Sequence, residues 1–153
     1  MLRLPTRIIS QTSDCIEIFV AKDIETLNNF LPSTKAISNC EKKQLKTGRK
    51  IDWKYQAQVY EKYKRQWAAV LSILPKMERK ERIVDTVIIS QRVRLIDLEN
   101  LYGGSKPIRD TLQRRGWLYD DAPRWGGLQV IQEKVSKKDT GTVIKLRKVN
   151  DQN

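Results

Sequence analysis

Histidine is absent from the 153 residues of this chain. Without an imidazole, Ser-His-Asp and Cys-His arrangements, histidine general bases and histidine-ligated metals are all excluded. Cysteine is nearly as scarce. Cys15 and Cys40 are too few and too far apart for a disulfide framework, and no CxxC pair offers a zinc site. No apolar run approaches the ~20 residues that a membrane span requires. The first 20 residues show no apolar core ahead of a small-residue cleavage site. A soluble protein with reduced thiols, in a cytoplasm, is expected.

Acids are the other shortage. Thirty Lys and Arg stand against 18 Asp and Glu, which leaves a net charge of +12 and a pI near 9.9. Such a balance favours contact with phosphate backbones, and nucleic acid is the better partner than an anionic membrane surface. The charge is also concentrated. From Lys35 to Arg82 there are fourteen basic and five acidic residues, so this stretch carries +9 of the +12. Its first part, near 35–50, has weak hydrophobic periodicity and reads as an exposed basic loop. Lys42, Lys43, Arg49 and Lys50 are candidates for backbone contacts that orient a nucleic acid without reading its sequence.

The length fits one domain, 1–153, at the usual ~100 to 200 residues per domain. Asp52 can cap a long helix in which Tyr60, Tyr63, Trp67, Val70, Leu71 and Leu74 recur at three- and four-residue spacing, with Pro75 ending it. The opposite face carries Lys54, Lys62, Lys64 and Arg65, a second surface for phosphate. Strands are expected at Cys15–Val20, Val84–Ile89, Leu128–Gln132 and Thr142–Leu146, all rich in β-branched residues. The last two are expected to form a hairpin around Lys137, Lys138, Asp139 and Gly141. Between strands, Ser105 can cap and Pro107 begin a second helix that Gly116 closes. The predicted order is β-α-β-α-β-β, an α/β (α+β) fold; the first ten and last four residues are expected to fray.

The scarce acids gather. Asp97 and Glu99 follow the second strand region, and on extended backbone their carboxylates would point to one face. Asp120 and Asp121 follow the second helix, and one of them could reach the same cavity. Oxygen ligands of this kind suit hard cations, Mg²⁺ or Mn²⁺, over zinc or copper. Lys106, in the first turn of the second helix, could steady charge on a phosphate. Gly103-Gly104 either lets backbone approach a phosphate or serves as a hinge. Against this stands a plainer possibility: Asp97 and Glu99 neutralise Arg92, Arg94 and Arg109, and Asp120-Asp121 form a turn with Pro123.

Asp97-Leu98-Glu99-Asn100, Lys106, Gly116-Trp117 and Asp120-Asp121, taken together over Arg92 to Asp121, resemble the RusA-type Holliday junction resolvases carried widely by phages and prophages. That family has an Asp-x-Asp-Asn motif, a lysine, a helix ending in Gly-aromatic, and Asp-Asp. The resemblance implies that Asp97, Glu99 and Asp121, with Asp120 beside them, bind catalytic Mg²⁺ and that Lys106 assists. It also implies a homodimer, a mixed sheet, here of four strands, with helices on one side, and a role in DNA recombination and repair in a bacterial or phage-infected cell. Arg109 joins the candidate DNA contacts. Glu99 departs from the family's second Asp by one methylene, and a non-catalytic nucleic-acid-binding relative is the competing expectation.

Overall fold

Alternation in the β-branched stretches decides which face of each strand is buried. The computed structural model describes residues 6–25 and 54–149. In it five strands, β1 (Thr6–Gln11), β2 (Cys15–Val20), β3 (Val84–Arg92), β4 (Leu128–Lys134) and β5 (Gly141–Lys148), form one sheet in the order β1-β2-β5-β3-β4. Among the described residues three helices, α1 (Lys54–Val70), α2 (Leu98–Gly104) and α3 (Lys106–Arg114), join the sheet in a mixed α+β fold of the expected class.

Even-numbered positions point inward. Ile18, Ile144, Ile88 and Val130 stand in register across β2, β5, β3 and β4, and the next row is Ile16, Leu146, Thr86 and Leu128. Trp67, Val70, Leu71 and Leu74 from α1 and its end pack on this face, with Leu101, Ile108 and Leu112 from α2 and α3. Each such buried aliphatic side chain contributes ~1.5–3 kcal/mol, so the helices are held to this side. The opposite face carries Phe19, Val143, Ile89 and Ile131 in one row. Exposed cross-strand ion pairs, Glu17–Lys145 at 3.3 Å and Asp85–Arg147 at 3.2 Å, lie alongside it.

α1 follows its apolar stripe: Trp67, Val70 and Leu71 are buried, while Tyr60 and Tyr63 are half-buried nearer its start. The helix tightens into a 3₁₀ turn over Leu71–Ile73, and Leu74 is extended at φ −74°, ψ 131°, as a residue before proline prefers. Buried Trp67 donates its Nε1–H to Glu25 Oε2 at 3.1 Å, and Lys22 pairs with the same buried carboxylate.

The sheet differs from expectation in two ways. Thr6–Gln11, expected to fray, is a fifth strand antiparallel to β2, joined by a turn in which Thr12 Oγ1 accepts the Cys15 N–H at 3.0 Å. The last two strands do not pair with each other. β4 lies parallel to β3 and β5 antiparallel to it, one on each edge. The link 135–140 needs to step over one strand, ~10 Å at the usual strand spacing, and six residues reach that easily. Val135 donates to Arg92 O at 3.0 Å as it crosses. The parallel pairing of β3 and β4 in turn demands a long crossover, which α2 and α3 supply. Asp52 and the loop near 35–50, with Lys42, Lys43, Arg49 and Lys50, lie outside the described residues.

Candidate active site

Asp97 is an N-cap, not a strand residue. Its Oδ1 accepts the N–H of Glu99 at 2.8 Å and of Asn100 at 3.4 Å, satisfying donors that the start of α2 leaves open. Glu99 therefore sits in the first turn of a helix, and the alternation expected of extended backbone does not apply to the pair. Both side chains are exposed. What places them is Gln132, an inward residue of β4: its Oε1 accepts from Ile96 N at 2.9 Å and its Nε2 donates to Ile96 O at 2.7 Å.

α3 begins at Lys106 with Pro107 in the first turn. Ser105 precedes it but does not cap it by side chain; its Oγ donates back to Tyr102 O at 2.7 Å, since α2 runs almost directly into α3. Lys106, half-exposed, pairs with Asp110 one turn on at 3.3 Å. Asp110 also accepts from Tyr60 OH at 2.5 Å, linking α3 to α1. Burial first, then this carboxylate, pushes the Tyr60 phenol well above its ordinary range. Gly116 closes α3 at φ 81°, with Trp117 N bonding to Leu112 O and Gly116 N to Gln113 O, as expected of a left-handed glycine stop.

Gly104 is neither hinge nor phosphate cradle. A Cβ there would lie 1.6 Å from the carbonyl oxygen of Glu25, so the glycine lets α2 pack against the segment after β2.

Asp120 and Asp121 line a cavity of about 20 Å³ with Thr86, Arg109, Trp125 and Gly127 among its other walls. That is room for a water or an ion rather than an organic ligand. Asp120 Oδ1 accepts the N–H of Asp121 at 2.6 Å and of Ala122 at 3.3 Å. Its carboxyl is held below the usual carboxylate range, first by the Asp121 side chain, then by those backbone donors, with Arg79 a smaller contributor. Asp121 is the more exposed of the two. The far wall is pinned by Asp85, whose Oδ1 accepts Gly127 N at 2.8 Å while Thr86 N donates to Gly127 O at 2.8 Å. Gly126, at φ 133°, passes so close to Val84 that a Cβ would meet its carbonyl oxygen at 2.0 Å.

Two of the side chains that line this cavity carry an unmatched N–H. Arg109 Nε and Trp125 Nε1 are buried and have no hydrogen-bond partner among the described residues. The Arg109 guanidinium lies over the Tyr102 ring of α2, 5.0 Å from its centroid. Among the described residues, Arg109 is thus a candidate DNA contact beside Asp120 and Asp121, and Lys54 stands at the start of α1. No ion pair joins Asp97 or Glu99 to Arg92, Arg94 or Arg109 among the described residues.

The donor chemistry, oxygen ligands without imidazole, suits Mg²⁺. Ile96, next to Asp97, is held at Gln132 of β4, while Asp120 and Asp121 line the cavity together with Leu128 of the same strand. Among the described residues no group of three or more acids or cysteines could hold a metal ion. Gln132, Asp110 and Trp125 escaped the sequence reading. An inward-facing glutamine in an apolar alternation was the available signal for the first; the other two show only in three dimensions.

No family model matches the chain, and neither does any curated protein. No helix among the described residues is long and apolar enough to cross a membrane.

Proposed function

We propose that the chain is an endonuclease acting on branched DNA, four-way junctions in particular, with the reacting phosphate at the Asp120–Asp121 pair. The observation that carries this is the placing of the Arg109 side chain and two carboxylates, Asp120 and Asp121, around one small cavity. A guanidinium at the rim binds phosphoryl oxygens strongly, while the cavity itself has room for the attacking water or an ion that a carboxylate orients. Asp121 is the working acid of the pair, because Asp120 Oδ1 is already engaged by two backbone N–H groups.

The +12 charge and the absence of histidine support the same class, as does the resemblance of residues 92–121 to RusA-type resolvases. That resemblance further supports a Mg²⁺ requirement, with Mn²⁺ as substitute, and a homodimer that nicks opposed strands. It assigns metal binding to Asp97, Glu99 and Asp121 and assistance to Lys106. Among the described residues no three of these acids form a group that could hold one ion. Glu99, where the family has Asp, favours a second reading, a nucleic-acid-binding protein without cleavage.

A labelled four-way junction and matched linear duplex, each with Mg²⁺ or chelator, separate these. Paired, Mg²⁺-dependent nicks confined to the junction, reduced at least ~100-fold by Asp121→Asn and by Asp97→Asn, are expected. Cleavage of both substrates alike would make the chain a general nuclease. Binding with no cleavage in either condition would establish the second reading.

A further inference from the structure

Around the acid pair, aromatic and guanidinium groups alternate. Tyr119 and Trp125 meet edge to face, with centroids 4.5 Å apart. Arg79 lies over the Tyr119 ring at 5.3 Å, and Arg124 over the Trp125 ring at 5.3 Å. The two arginines are held differently. Arg79 donates from Nε and Nη2 to Tyr119 O, at 2.8 and 2.5 Å, and is fixed in place. Exposed Arg124 has no hydrogen bond or ion pair among the described residues beyond its ring contact.

We infer that the face of Trp125 under Arg124 is a stacking site for an unpaired nucleobase, and that Arg124 moves from the ring to the flanking phosphate when the base arrives. This rests on the nucleic-acid reading above and adds the substrate feature it selects: a nucleotide out of the duplex stack. The magnitudes favour the exchange. An exposed cation–π contact is a weak one, whereas stacking a base on an aromatic ring is the stronger interaction and tolerates any base. The guanidinium, once displaced, regains an anionic partner in the phosphate. Trp125 is also well fixed for the purpose, in a 3₁₀ turn over Pro123–Trp125 that donates Trp125 N–H to Ala122 O at 2.9 Å and is closed by Gly126.

The test uses 2-aminopurine placed in the unpaired gap of an otherwise duplex oligonucleotide, in chelator so that strands stay intact. Binding is followed separately by anisotropy of an end label, with the fully paired duplex alongside. The unaltered chain is expected to quench the probe and to prefer gapped over paired DNA. Trp125→Leu should lose the quench and lower that preference about tenfold. Trp125→Phe lacks the indole N–H but keeps an aromatic face, so it should retain both. Arg124→Ala should keep the quench while the dependence of log affinity on log salt falls by about one. DNA binding without quenching, or quenching that Arg124→Ala abolishes, overturns the stacking site and leaves the nuclease proposal standing. Failure to bind either DNA removes both. A circular dichroism spectrum matching the parent's is required of Trp125→Leu; if it misfolds, Trp125→Phe and Arg124→Ala decide, and loss of the quench in either overturns the inference.

Discussion

Gly104 is the residue whose role is most tightly fixed by geometry. Its missing side chain leaves room for the Glu25 carbonyl, and a methyl group would have to displace backbone, not a flexible side-chain end. Overpacking of a well-filled site usually costs about 1–3 kcal/mol, and rigid neighbours push toward the upper end. Ala's better helix propensity returns less than ~1 kcal/mol. Gly104→Ala should therefore lower stability by about 2 kcal/mol or more, read as a lower urea midpoint with the denaturant slope unchanged; a variant as stable as the parent would show that α2 and the segment after β2 part at little cost. Side-chain supply likewise ranks the two aspartates. From sequence, Asp120 and Asp121 look equivalent, and the difference between them comes only from which carboxylate oxygen the turn consumes.

At the scale of elements, Gln132 is the joint between β4 and α2. Both hydrogen-bonding atoms of one amide grip both backbone groups of Ile96, and Asp97 follows at once. Gln132→Ala removes two hydrogen bonds worth ~1 kcal/mol each. Hydrogen exchange at the Ile96 amide should then accelerate by about tenfold. Junction cleavage should fall while DNA affinity holds, because Asp97 loses position without any basic residue being lost. Unchanged exchange at Ile96 would mean that α2 is held by packing alone. Much of this element scale was legible beforehand. Richness in β-branched residues identified β2, β3, β4 and β5, three- and four-residue spacing identified α1, and Pro107 with Gly116 bracketed α3. The hairpin expectation failed because turn residues between two strands say that the chain turns, not which neighbour each strand takes. Two edges of β3 outcompeted a direct pairing. The extended backbone expected at the first acid pair gave way for a related reason. Asp97 followed by Glu99 satisfies the pattern of a strand face and of a helix N-terminus equally, and only the N–H groups of Glu99 and Asn100 settle it as a cap.

For the whole molecule, charge is the dominant property, and it makes acid the direction of weakness. As the 18 carboxylates take up protons, the net charge climbs from +12 toward the +30 of the lysines and arginines alone, and self-repulsion opposes the compact state. Specific acids add to this. The Asp85 carboxyl is held below its ordinary range chiefly by the Gly127 N–H, with Arg147 adding to it against a cost of burial. A depressed folded value means that the folded chain binds its proton later than the unfolded chain does. The stability Asp85 contributes is thus fully present above the ordinary aspartate value of about 3.9 and is lost as pH falls through the lower folded value. Because repulsion acts on every form of the chain, the informative quantity is the difference between parent and Asp85→Asn. At neutral pH the variant should be less stable by on the order of 1 kcal/mol, the usual worth of one such hydrogen bond with an exposed ion pair adding little. As pH falls below the ordinary aspartate value and the parent's own Asp85 takes up its proton, the two urea midpoints should converge. A gap that stays constant down to the acid limit would mean that Asp85 pins β4 to β3 by shape and neutral hydrogen bonding, and that its charge is not what holds the cavity wall in place.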